Sequence, residues 1–203
     1  MQITGHTLPG YRVHEYMLVL TPHEELCNRI VQVRKEWTEK YELEPLKGKP
    51  GITLASFTQY EMMEERLLNR LKVVGMGFPP FKIELGGFGS FPSHSIFISV
   101  ASRSAVQSLV KELRSAAQRL MKLNDENRPH FITDPHVIVA RKLKPWQYEK
   151  IWEEYREKNF TARFIADSMT LLRKPGGEGS FKTIARFSFQ NLPVATKQGE
   201  LFA

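Results

Sequence analysis

Apolar and polar positions change period several times along the chain. Residues 12–20, RVHEYMLVL, read as a strand that stops at Thr21-Pro22. Pro22 suits the first turn of a helix, and Leu26, Ile30, Val33 and Trp37 then recur at helical spacing. After the loop LEPLKGKP, the short apolar run ITLASF at 52–57 predicts a strand, and 61–74 a second helix. The breaker GMGFPP leads into FKIELGGF at 81–88, which alternates as a strand does until its glycines.

The same order then begins again. SIFISVA at 95–101 is a strand, and 104–123 an amphipathic helix with Val106, Leu109, Val110, Leu113 and Leu120 on one side. HVIVARKL at 136–143 is a strand, 145–159 a helix opened by Pro145, and 160–174 one long strand. A glycine turn and a last strand at about 181–190 complete a terminal hairpin. Strand, helix, strand, helix, strand therefore occurs twice. A repeat this long fits an internally duplicated domain rather than a solenoid, with lobe one over about 11–90 and lobe two over about 94–175. KPGITLASF and DPHVIVARK match directly: a proline, a variable residue, three β-formers with Thr53 against Ile138 in the middle, and then alanine.

Composition adds limits. At 203 residues with 41% hydrophobic and 25% charged positions, the chain can bury a proper core. No apolar run approaches the roughly 20 residues of a membrane span, and MQITGHTLPGYR lacks the character of a secretory signal. The single cysteine, Cys27, excludes an internal disulfide, fits a reducing cytoplasm, and falls in a helix where it reads as a small buried hydrophobe. A net charge of +7 favours polyanionic partners, although EKYELEPLKGK and YEKIWEEYREK place many bases beside acids on solvated faces. GMGFPP, GGFGSFP and PGGEGS do not match the phosphate-binding loop pattern, and one cysteine with scattered histidines gives no zinc spacing.

The paired strands, each preceded by proline, together with PPFKIELGGFGSFP and HVIVARKL, resemble the 2H phosphoesterase superfamily, which includes the 2′-5′ RNA ligase-like cyclic phosphodiesterases. That resemblance implies a mixed α/β (α+β) fold of two pseudo-symmetric lobes, each an antiparallel-rich sheet with helices packed outside, around a central cleft. It also implies a motif of His, any residue, Thr or Ser, and a hydrophobic residue, once in each half. Two imidazoles across a phosphodiester supply base and acid near neutral pH. Hydroxyls two residues along the same strand face stabilise the phosphate oxygens.

Here each copy of the motif has lost a different half. Gly51-Ile52-Thr53-Leu54 keeps the hydroxyl without the imidazole, and His136-Val137-Ile138-Val139 keeps the imidazole without the hydroxyl. By resemblance, His136 and Thr53 are the retained catalytic groups and Gly51 and Ile138 stand at the substrate site; Arg141 and Arg163, as basic strand residues, are candidates to line it with them. Arg141 has the opposite strand parity to His136, and Arg173 is a further basic residue on the last long strand. His14 and His94, among the unassigned His6, His14, His23, His94 and His130, are the candidates to replace the missing imidazole. The expectation is a cytoplasmic, monomeric protein that needs no metal or cofactor. It would bind a phosphodiester, nucleotide or RNA, with weak or lost phosphodiesterase activity. The alternative is a non-catalytic RNA- or nucleotide-binding or protein-interaction module that retains only the fold.

Overall fold

The computed structural model describes residues 10–176 and 179–193. Its strands are β1 (Val13–Leu20), β2 (Ile52–Tyr60), β3 (Phe81–Phe91), β4 (Ser95–Val100), β5 (His130–Phe131), β6 (His136–Arg141), β7 (Thr161–Ala166), β8 (Ser168–Pro175) and β9 (Lys182–Ser188). Its helices are α1 (Glu24–Tyr41), α2 (Glu64–Gly77), α3 (Arg103–Met121) and α4 (Pro145–Tyr155). Pro145 opens α4 as expected, whereas Pro22 lies before the start of α1, whose N-cap is His23. Glu24 and Glu25 in the first turn of α1 and Lys40 in its last complement the helix dipole.

Two antiparallel sheets form, ordered β5-β2-β1-β8-β9 and β6-β4-β3-β7. The division of 11–90 from 94–175 describes the order of elements along the chain, while the sheets exchange strands between those halves. β3 joins the second sheet and β8 the first. The helices exchange too. Trp37 of α1 packs on Phe88 of β3 and on Tyr155 of α4, and the Tyr148 hydroxyl of α4 bonds Ser90 of β3. Beneath the first sheet, Gln59 of β2 donates to the carbonyl of Leu120 on α3, and Gly75 of α2 lies against Phe187 of β9.

One expected element divides. Residues 160–174 form β7 and β8, in different sheets, with the break at Asp167. The Asp167 carboxylate accepts from the Ser168 hydroxyl and from Arg186, and its carbonyl accepts from the Phe189 amide. These local bonds hold the corner without a glycine or proline to mark it.

The two motif strands share a detail finer than element order. Along β2, pairing with β1 steps from Thr53–Val19 to Ala55–Leu18, leaving Leu54 unpaired. Along β6, pairing with β4 steps from Ile138–Phe97 to Ala140–Ile96, leaving Val139 unpaired. Both halves thus carry a bulge immediately before the matched alanine. A bulge adds one residue and reverses side-chain parity beyond it.

Candidate functional site

Helices cover one face of each sheet, so the opposite faces are the ones available to a ligand. On β2, Ile52 and Leu54 are fully buried and Thr53 between them is half-buried. On β6, Val137 and Val139 are buried, while His136 and Ile138 are half-buried. Strand alternation therefore sends Thr53, His136 and Ile138 away from the helical layers. The N-terminal stretch of β2 has no partner from β5, which pairs only with Ala55 and Ser56, and β2 is in contact with β6 of the other sheet. The two incomplete motifs thus sit on the neighbouring strands of the two sheets.

His136 is held in one tautomer. Its Nδ1 lies 2.7 Å from the carbonyl oxygen of Asp134. A carbonyl can only accept, so the ring proton of the neutral imidazole stays on Nδ1 and Nε2 keeps its lone pair. Phe97 and Phe91 pack against the ring with centroids at 4.8 and 5.1 Å. Phe97 in turn lies over Gly89, where a Cβ would come within 2.4 Å of the Phe97 ring. This ordered aromatic wall limits rotation of the imidazole.

The Thr53 hydroxyl has Met17 Sδ, at 3.7 Å, as its partner. Sulfur is a weak acceptor, so little competes with a phosphate oxygen for that proton. At Gly51 a side chain would force main chain to shift, because a Cβ there would stand 2.9 Å from the Leu20 carbonyl oxygen. Ile138, the counterpart of Thr53, presents only a branched alkyl group.

Neither favoured histidine replaces the missing imidazole. His14 is buried near the other end of β1, opposite Gln59 and Pro175, with Nε2 3.8 Å from Glu61. Six residues of strand separate it from Leu20, about 20 Å at ~3.4 Å per residue. His94 is exposed in the turn from β3 to β4, beside Leu143 at the far end of β6. His130 pairs with Ser56 and shares the open face of the first sheet, but on the edge strand β5. His6 lies outside the described residues.

The arginines are redistributed. The bulge at Val139 pairs Arg141 with Ser95, and Ser95, Phe97 and Ser99 alternate on one face of β4. Arg141 therefore shares the face of His136, which parity alone argued against. Arg163 lies on the corresponding face of the outer strand β7, opposite Glu84 and separated from β6 by β4 and β3. Arg173 points the other way, into the helical layer, where it pairs with Glu64 at 2.9 Å. It lines no part of the open face.

Arg34 was not singled out from sequence. Its Nε and Nη2 donate to the carbonyl of Ile138 at 3.2 and 2.7 Å, and Nη1 donates to that of Gly48 at 3.3 Å. One guanidinium from α1 thus ties the loop before β2 to the motif strand of the other sheet. Burial, reinforced by Arg141, pushes its pKa down to about 10. The available signal was its place four residues after Ile30 and three before Trp37, inside the buried stripe of α1.

Among the described residues, no group of three or more histidine, cysteine, aspartate or glutamate side chains is placed to hold a metal ion. The arrangement offers one imidazole with a free lone pair, one hydroxyl donor, and a guanidinium on the same face at the other end of β6.

Comparison with known proteins agrees with this architecture. The chain is 23% identical over 161 residues to a Geobacillus kaustophilus protein whose name marks it as a candidate phosphoesterase, covering 78% of this chain and 87% of that one. The crystal structure of TT0787 from Thermus thermophilus superposes with a TM-score of 0.65 at 18% identity, over 87% of this chain and 98% of that one. Escherichia coli LigT in complex with 3′-AMP gives 0.59 at 16% identity, over 88% and 98%. Residues 22–178 match the model of the 2′-5′ RNA ligase superfamily, and the chain belongs to that family.

Proposed function

We propose that this protein binds a nucleotide or other phosphodiester on the open faces of its two sheets, and that it turns over cyclic or 2′,5′-linked phosphodiesters slowly or not at all. Thr53 and Arg141 hold phosphate oxygens, and His136 Nε2 meets the ester. LigT, of the same fold, has been crystallised with phosphate, 3′-AMP and ATP, which supports a ligand of this class. The observation that carries the reading is the contact at Gly51. With the Leu20 carbonyl oxygen 2.9 Å from the Cβ position, the second acid–base group cannot be seated without moving main chain. A missing acid or base costs about 10²–10⁴ in rate. A missing charge-stabilising donor costs about 10²–10³ more, the two not being additive. A cytoplasmic monomer remains the expected setting, and among the described residues no helix is long and apolar enough to cross a membrane.

The test is calorimetric titration with 3′-AMP and 2′,3′-cyclic AMP, alongside turnover of cyclic nucleotides and 2′,5′-linked dinucleotides at high protein concentration. Saturable binding is expected, weakened about tenfold or more in His136→Ala. Turnover at an ordinary enzymatic rate of about 1 s⁻¹ or above, lost in His136→Ala, would show a working enzyme and overturn the slow-turnover half. Absence of any nucleotide binding at millimolar concentration would leave the fold without its ligand.

A further inference from the structure

On the helical side of the first sheet, opposite the face that carries Thr53, α3 presents an exposed stripe of Lys111, Arg114, Ser115, Gln118, Arg119 and Lys122. The sequence explains it. Val106, Leu109, Val110, Leu113, Ala117 and Met121 form the buried stripe of α3, and the remaining positions of its second half are largely exposed. Four of these six residues are cations and none is an acid. Arg114 is held with its guanidinium 5.2 Å from the ring centroid of Phe131, which reduces the rotamer entropy lost when it binds. Asp125, itself exposed, pairs with Lys122 in the structure, and a surface pair of this kind is easily exchanged for another anion.

We propose that this face of α3 is a docking surface for the sugar–phosphate backbone of single-stranded RNA, separate from the motif strands. From Lys111 to Lys122 is 11 residues, about 16 Å along the helix at ~1.5 Å per residue. That length meets several consecutive phosphates of an extended strand. Ser115 and Gln118 add uncharged hydrogen-bonding groups between the cations, the usual complement of a backbone contact. No large apolar side chain stands among these six residues, so the stripe lacks the wedge that an anionic membrane surface would receive. The surface does not depend on the nucleotide reading above, because the motif strands present their polar groups on the opposite face of the sheet.

The test is fluorescence anisotropy with a labelled 12-nucleotide oligouridine over a range of salt, for the wild type, Lys111→Gln/Arg119→Gln/Lys122→Gln, and Gln118→Glu. Arg114 is retained because it packs on Phe131. The triple variant should bind at least about tenfold more weakly at 0.1 M salt. Its slope of log affinity against log salt should be shallower by about 2, since each cation lost contributes ~0.7. Gln118→Glu should weaken binding without removing any packed group, and thermal melts confirm that each variant folds. Titration with 3′-AMP reports the motif strands independently, and the triple variant should leave it unchanged. Equal RNA affinity and equal salt slope in wild type and triple variant would overturn the assignment, as would no RNA binding by the wild type. Loss of binding to vesicles containing phosphatidylserine, with RNA binding unaffected, would assign the surface to lipid instead.

Discussion

The carbonyl oxygen of Leu20 stands 2.9 Å from the point where residue 51 would place its Cβ, although the backbone at Gly51 is not left-handed. The glycine is therefore required by contact and not by conformation. The obstacle is main chain at the end of a paired strand and cannot rotate away as a flexible side chain would. Gly51→Ala should cost about 1–3 kcal/mol, the usual penalty for overpacking, read as a lower urea midpoint with unchanged m-value. Gly51→His should be at least as destabilised and should gain no phosphodiesterase turnover. A Gly51→Ala protein as stable as wild type would show that the strand end yields.

Ile138 differs from Gly51 in having space. It is half-buried on the face shared with His136, so Ile138→Thr places a hydroxyl beside the retained imidazole without opening a core cavity. Stability should change by less than about 1 kcal/mol, because little buried area is lost. Affinity for 3′-AMP should rise several-fold in calorimetric titration, as a new donor meets phosphate. Turnover should stay low, because the second acid–base group is still missing at residue 51. Unchanged affinity would place the phosphate elsewhere.

These two positions show how far the sequence could be read. The match of ITLASF with VIVARK located both motif strands and their missing halves, because a period of two survives in short apolar runs. It could not reveal the bulges at Leu54 and Val139, since both are ordinary strand residues and the extra residue shows only in the pairing. Arg141 therefore moved to the open face against its parity. The corner at Asp167 escaped notice because the apolar pattern continues through it. The helix exchange was illegible for another reason: the apolar stripe of α1 shows that it is buried, not which sheet it buries against. Trp37 meets Phe88 only through that longer-range choice.

Arg34 gives a prediction about the join between the sheets. Its guanidinium fork satisfies the carbonyls of Ile138 and Gly48 at once, which a point-like ammonium cannot reproduce. Arg34→Met leaves both carbonyls without this donor and should cost about 1–3 kcal/mol. Arg34→Lys should recover part of that. If Arg34 also positions the motif strands, Arg34→Lys should weaken 3′-AMP binding under conditions where it remains fully folded. A variant that loses stability but keeps wild-type affinity would confine Arg34 to a structural role.

The last prediction concerns acid stability. Glu154 of α4 accepts from Lys40 and Tyr41 of α1 and from Lys158, which lower its pKa to about 2, while burial and Glu154 together push Tyr41 up to about 12. Lys40 is the largest contributor to the Glu154 shift. A carboxylate whose folded pKa lies below its unfolded value of 4.5 contributes stability that is fully present above about pH 4.5. That contribution is lost as pH falls towards 2. Because the cluster is partly open to solvent, the effect is discounted to the range of surface ion pairs. Thermal melts should therefore show Glu154→Gln about 2–4 °C below wild type at pH 7. The gap should narrow between pH 4.5 and 2, where the unfolded chain binds a proton at this position that the folded carboxylate does not yet take up. A gap that stays constant through this range would show that Glu154 acts by packing α1 against α4 rather than by its charge.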